Sequence, residues 1–168
     1  MNFQNTNKKL KIVLSIGDES GIGPEVILKA LYSDQIPKNL DYILVCSKKN
    51  LENTYSHLQS LGLKNIANPN NLQISDLKIT SSGLDSQSSY GNSSFYYLTK
   101  AIEIVKQYPN SALVTGPICK KSWSLAGHHF SGQTEVLAKS CGLKNVGMLF
   151  TAKSPITGWR FNTLLATT

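Results

Sequence analysis

The apolar residues of this chain follow two rhythms. Residues 11–16 (KIVLSI), 41–46 (DYILVC) and 112–114 (ALV) are short, mainly apolar runs, the pattern of strands, with 41–46 a candidate for a buried one. Other apolar residues recur at helical spacing. Val26, Ile27, Ala30 and Leu31 form a stripe behind Pro24, which suits the first position of a helix, and Glu25 is favourable near that helix's positive end. Leu51, Tyr55, Leu58 and Leu61 share one face of a helix over 50–61 that Gly62 stops. Phe95, Leu98, Ala101, Ile102 and Val105 line a third helix, which starts at Gly91-Asn92-Ser93 and is ended by Pro109. The stretch 64–90 is rich in Asn, Ser, Gln and Asp, and reads as irregular strands and loops around 72–74 and 77–79. Residues 133–141 read as a helix closed by Gly142. Residues 145–151 and 159–168 read as strands of a hairpin around the turn 154–158. Strand, glycine-rich turn and helix over 11–31 open a parallel α/β unit. Residues 1–9 read as a disordered polar lead.

Composition narrows the picture. A chain of 168 residues with 40% apolar and 16% charged residues suits a globular fold with a proper core. The net charge is +7, but sixteen of the seventeen basic residues are lysines and the only arginine is Arg160. The lysines are scattered, not striped, and arginine forks are scarce, which argues against a nucleic-acid reader. A basic surface that attracts phosphorylated metabolites fits better. No apolar run reaches membrane-spanning length, and the N-terminus lacks the apolar core of a signal peptide. The three cysteines, Cys46, Cys119 and Cys141, show no CxxC spacing, so neither a disulfide framework nor a structural zinc site is expected.

The candidate chemistry gathers in two places. Residues 111–135 run from a strand through Gly116-Pro117, Gly127 and Gly132, carrying Thr115, Lys120, Lys121, His128, His129, Gln133 and Thr134. Strand ends in α/β sheets are ligand sites, and these donors and cations suit a small anion. At most one of the adjacent Lys120 and Lys121 can face such a site, the other being solvated. His128 and His129 point apart on any regular element, so no metal chelate forms within the chain. Thr134 can hold a substrate oxygen or merely cap its helix. Cys119 reads as a small buried or half-buried thiol in preference to a reactive one. The second place is the loop 17–25, where Gly17, Asp18, Gly21 and Gly23 precede a helix. It could cradle an anion through backbone N–H groups. It could equally be a tight turn that needs glycine, with Asp18 capping the local backbone. It is neither a Walker loop nor GxGxxG.

The order of these motifs carries a resemblance. Gly17-Asp18-x-x-Gly21-Ile22-Gly23-Pro24-Glu25 resembles the opening signature of the 4-hydroxythreonine-4-phosphate dehydrogenase family, enzymes of pyridoxal phosphate biosynthesis. Thr115-Gly116-Pro117-Ile118-Cys119-Lys120 resembles its TxPxxK motif. Ala126-Gly127 followed by Gly132-Gln133-Thr134-Glu135 resembles its AG…GHTE motif, and Tyr90-Gly91 fits the same order. Two departures stand out: Glu19-Ser20 replaces Pro-Ala, and Gln133 replaces histidine.

The resemblance implies an isocitrate/isopropylmalate dehydrogenase-like α/β/α sandwich, with residues 10–168 as its N-terminal α/β portion. It implies NAD- or NADP-dependent oxidation and decarboxylation of 4-hydroxythreonine 4-phosphate in a cytoplasmic homodimer, with Gln133 and Thr134 on the substrate. It also implies a divalent metal on three histidines, the first just after a Thr-Thr pair like Thr167-Thr168. Family members are about twice as long, and this chain stops within what reads as a strand, mid-sheet. An incomplete and inactive half is therefore expected. The alternative is a non-catalytic binding remnant for a small phosphorylated ligand. A phosphate-handling acyltransferase on a similar fold finds no support in particular residues.

Overall fold

The structure is a computed structural model and describes residues 9–79, 83 and 85–165. Most of the lead expected at 1–9, and the Thr167-Thr168 pair, lie outside the described residues. The chain divides after Phe130 into two compact units.

The first unit is built on a parallel sheet in the order β3-β2-β1-β4. Its strands are β1 (Lys11–Ser15), β2 (Asp41–Cys46), β3 (Gln73–Asp76) and β4 (Ser111–Thr115). β1 pairs in register with both β2 and β4, Val13 lying beside Ile43 and Leu113. Val13, Leu14, Ser15 and Ile16 are consecutively buried, so both faces of this strand are covered. The covering helices are α1 (Gly23–Tyr32), α2 (Lys48–Ser60) and α3 (Ser86–Gln107). α1 and α2 pack on each other, and α3 packs on β1, β2 and β4. Right-handed crossovers put α1 and α2 on one face and α3 on the other. The α/β class expected from the alternating rhythms is the class that forms.

Local details differ where periodicity alone misjudged depth. The buried face of α1 is Gly23, Pro24, Ile27 and Leu28. Val26 is 49% exposed, so the expected stripe is rotated by one position. The helix starts at Gly23 against the end of β1, and that contact sets its rotation. In α2, Leu51 and Leu58 are buried, but Leu61 is exposed because it lies at the C-cap, beyond the last turn. Gly62 ends that helix with φ +86°, a left-handed conformation that a side chain would strain.

Regular elements form among the described residues of the polar stretch 64–90. The stretch holds a short 3-10 turn at Pro69–Asn71, the strand β3, and the first turns of α3. Helix α3 begins at Ser86, five residues before Gly91. Asp85 caps it, its Oδ1 accepting from the Ser88 N–H at 2.8 Å. Its buried residues are small at first, Ser88, Gly91, Ser93 and Ser94, and then Tyr97, Leu98, Ala101 and Ile102. Small residues let the short helix α4 (Lys120–Leu125) approach closely: a Cβ on Gly91 would lie 2.0 Å from the Ser122 carbonyl oxygen. Trp123, fully buried, donates its indole N–H to Ser94 Oγ at 2.6 Å.

The second unit holds α5 (Gln133–Cys141), β5 (Met148–Lys153) and β6 (Arg160–Leu165). Gly142 closes α5 at φ +68°. β5 and β6 form the expected antiparallel hairpin, Met148 opposite Leu165. β5 starts three residues later than its apolar pattern suggested. No helix among the described residues is long and apolar enough to cross a membrane.

Candidate functional site

In an open parallel sheet the ligand crevice lies at the carboxyl ends of the strands, where neighbouring connections leave in opposite directions. With the order β3-β2-β1-β4 that place is between β1 and β4. Two loops leave it: the glycine loop after β1 and the turn 116–119 after β4. Gly17, Asp18, Gly21 and Gly23 lie in the first loop or at its end. Thr115 is the last residue of β4, and Lys120 opens α4. The sheet therefore brings together two groups of residues about a hundred positions apart.

The two loops meet backbone to backbone. The Asp18 N–H donates to the Pro117 carbonyl at 2.8 Å, and the Gly116 N–H to the Ser15 carbonyl at 2.7 Å. A Cβ on Gly17, whose φ is +78°, would lie 2.2 Å from the Pro117 oxygen; one on Gly116 would lie 2.3 Å from the Ile16 oxygen. Gly23 brings the start of α1 equally close to β1, 2.4 Å from the Ile16 oxygen to an added Cβ. Close approach is thus a sufficient reason for these glycines. Asp18 is buried, and its Oδ1 accepts from the Ser20 N–H at 2.9 Å and the Ser20 hydroxyl at 2.7 Å. The Gly21 N–H donates to the Asp18 carbonyl. Lys120 and Lys121 are both exposed, and Thr115 is half-buried.

One residue of this loop was visible in the sequence only as a departure from a family pattern. Glu19 sends its side chain inward. Its Oε1 accepts from the Tyr97 hydroxyl at 2.6 Å and its Oε2 from the Asn50 amide at 2.6 Å. Burial pushes the Glu19 carboxyl above the usual carboxylate range, against the pull of those two hydrogen bonds, and the Asp18 charge adds to the push. Burial, then the Glu19 charge, also push the Tyr97 phenol upward. Cys46, at the end of β2, is fully buried, and its thiol is pushed up to about 12, first by burial and then by Glu19. Cys119 differs. It is half-buried, and hydrogen bonds from the Ser122 side chain and backbone hold its thiol below the ordinary value.

His128 is taken up by packing. Its ring stacks on Phe95 with centroids 3.8 Å apart, and its Nε2 meets Asn92 Oδ1 at 2.9 Å. Burial, with help from the neighbouring His129, pushes it below the usual histidine range. His129 is exposed. Among the described residues no group of three or more His, Cys, Asp or Glu stands together as a set of metal ligands.

In the second unit Gln133 and Thr134 are the first two residues of α5. The N-cap is Gly132, and no side chain caps the helix, so Thr134 does not serve as its cap. Both residues are half-buried, as is Glu135, whose Oε2 is buried without a hydrogen-bond partner.

Comparison with known proteins adds the following. The family model for pyridoxal phosphate biosynthetic protein PdxA matches residues 38–168. The 4-hydroxythreonine-4-phosphate dehydrogenase of Synechococcus sp. (strain RCC307) is 44% identical over 160 residues, covering 94% of this chain and 48% of that protein. The enzyme of the same name from Nostoc sp. (strain PCC 7120 / SAG 25.82 / UTEX 2576) is 41% identical over 173 residues, covering 98% of this chain and 48% of that protein. The crystal structure of a 4-hydroxythreonine-4-phosphate dehydrogenase from Burkholderia phymatum shares the fold. Its TM-score is 0.71 at 22% identity, over 87% of this chain and 48% of that chain. The chain thus spans about half the length of the curated relatives it matches.

Proposed function

The chain belongs to the family of pyridoxal phosphate biosynthetic protein PdxA, and on that premise we propose that the protein at its natural length is an oxidoreductase of pyridoxal phosphate biosynthesis. Its substrate is 4-hydroxythreonine 4-phosphate. The reaction takes a hydride from the carbon bearing the secondary alcohol and a proton from its oxygen. The resulting β-keto acid loses carbon dioxide and takes up a proton, leaving an aminoketone phosphate. NAD or NADP supplies the hydride acceptor, and a divalent metal supplies polarisation of the alcohol oxygen.

The described residues do not fit that metal, since they bring no three ligands together. We place its ligands in the length of the relatives that this chain does not span. The part of these residues is binding and orientation. The observation that carries the proposal is the start of α5, where Gln133 and Thr134 follow an N-cap glycine and Thr134 is not consumed as a cap. Thr134 holds a substrate oxygen through its hydroxyl. Gln133 does so through its amide, as a neutral donor that cannot carry the charge a histidine would. In the first unit, taken by itself, Lys120 at the start of α4 is exposed and offers a positive charge to an anion, and Gly17, Asp18, Gly21, Gly23 and Thr115 shape the strand-end crevice. By family resemblance the protein acts as a cytoplasmic homodimer, without a nucleic-acid or membrane partner.

The test is nicotinamide reduction by the protein at its natural length, supplied with a divalent metal and 4-hydroxythreonine 4-phosphate. Reduction that is abolished by Thr134→Ala is the expected result. The 168 residues alone are expected to be inactive. Binding of the substrate without reduction of either NAD or NADP would overturn the dehydrogenase reading. It would favour a non-catalytic binder of phosphorylated ligands, a reading that Gln133 in place of histidine already motivates.

A further inference from the structure

Glu19 ties the glycine loop to the rest of its unit. Each of its carboxyl oxygens is bound by a side chain from a different helix, Tyr97 of α3 and Asn50 of α2. These helices cover opposite faces of the sheet, and the partners lie 78 and 31 residues away in sequence. The same loop donates the Asp18 N–H to Pro117, so the tie also bears on the turn after β4.

Burial and the neighbouring Asp18 charge favour a neutral carboxyl, the two hydrogen bonds that Glu19 accepts favour the ionised one, and burial is the largest of these effects. The groups that face Glu19 are Tyr97 from α3, Asn50 from α2, Asp18 from its own loop and Cys46 from β2. None carries a positive charge, and Asp76 faces Cys46 from the end of β3. An ionised carboxylate here gives up hydration and sits beside Asp18. A protonated carboxyl avoids both costs and keeps both contacts. Oε1 still accepts from Tyr97, and a proton on Oε2 can be donated to the Asn50 amide oxygen once that amide turns over. Opening of the loop returns the group to water, where ionisation is easy.

We propose that Glu19 is a positioning residue that clamps the loop between β1 and α1, closed while its carboxyl is protonated and released as it ionises. The upward push of burial on this carboxyl gives the sign. The closed loop binds the proton more tightly than the open one, so the open fraction grows as pH rises above the ordinary value of 4.5. The growth is about tenfold per pH unit, and it levels off once the clamped carboxyl itself ionises. The clamp does not depend on which ligand the strand ends take.

The experiment is hydrogen exchange on the protein at its natural length between about pH 5 and 8, expressed as protection factors so that the intrinsic pH dependence of exchange is removed. The amides of Asp18 and Gly21 report on the loop, and those of Val13 and Leu14 report on the sheet. In the wild type, loop protection is expected to fall with rising pH to a plateau while sheet protection stays constant. Glu19→Gln, which keeps the shape without the charge, is expected to hold loop protection at its low-pH level throughout. Tyr97→Phe is expected to lower loop protection at every pH. A flat wild-type profile, a Glu19→Gln profile that falls like the wild type, or unchanged loop protection in Tyr97→Phe would each overturn the proposal.

Discussion

Replacing Gly91 with alanine sets two known effects against each other, and the structure decides which wins. Alanine is the better helix former, by about 1 kcal/mol in a helix interior. Gly91 lies well inside α3, so on propensity alone the variant gains stability. The added Cβ, however, would lie 2.0 Å from the Ser122 oxygen, 2.2 Å from the Ser122 carbon and 2.9 Å from the Trp123 nitrogen. These are backbone atoms at the start of α4 and cannot swing aside like a flexible side chain. The helix must shift by more than an ångström to restore ordinary contact. Overpacking of this kind costs about 1–3 kcal/mol. The shift also pulls Trp123 from Ser94, and losing that buried 2.6 Å hydrogen bond costs about 1–3 kcal/mol more. The net expectation is a loss of about 1–5 kcal/mol after subtracting the propensity gain. Urea denaturation followed by Trp123 fluorescence, in a Trp159→Phe background, is the assay. Trp159 is 64% exposed and its removal costs little. The midpoint is expected to fall by on the order of 1–2 M. A midpoint unchanged or raised would show that α4 does not press on Gly91, and the close-packing account of the polar half of α3 would be wrong.

Three further outcomes follow from the same geometry. Alkylation of the native protein near neutral pH is expected to label Cys119 and Cys141 but not Cys46, whose buried thiol is pushed up to about 12; peptide mass mapping that finds Cys46 labelled before denaturation contradicts this. Thr134→Val is expected to change stability by less than about 0.5 kcal/mol, because Thr134 caps nothing, while lowering activity or ligand affinity at least tenfold; a large loss of stability in denaturant melts would show a structural hydroxyl instead. His128 is held below its ordinary value of 6.5 by burial, so the unfolded chain takes up a proton first as pH falls through that value, and stability drops on acidification. Melting temperatures at pH 5 and 7.5 are expected to differ less in His128→Phe than in the wild type, and an equal difference would remove His128 as a contributor.

Much of this protein is written locally in its sequence. The mainly apolar runs at 11–16 and 41–46 form strands, and their consecutive buried residues, 13–16 and 43–46, suit a sheet covered on both faces. Gly62 and Gly142 end their helices because only glycine takes a positive φ at no steric cost. The hairpin of β5 and β6 follows from two apolar stretches around a Ser-Pro-rich turn. The motif residues Gly17, Asp18, Thr115, Lys120, Gln133 and Thr134 could be named as candidates from the resemblance of their motifs to a family pattern, where spacing alone left each of them open to a structural role. Tertiary structure decided what those patterns leave silent. Helix α3 extends back to Ser86 through serines and a glycine that no apolar period marks, because small residues admit the backbone of α4. The pairing of β1 with β4 joins segments about a hundred residues apart and sets the glycine loop against Pro117. Glu19, visible in the sequence only as a departure from a family pattern, finds Tyr97 and Asn50 only once the helices lie on their two faces of the sheet. Periodicity records which face of an element is apolar. It carries no information about which distant backbone or side chain will meet that face, and in this protein those meetings shape the strand-end crevice.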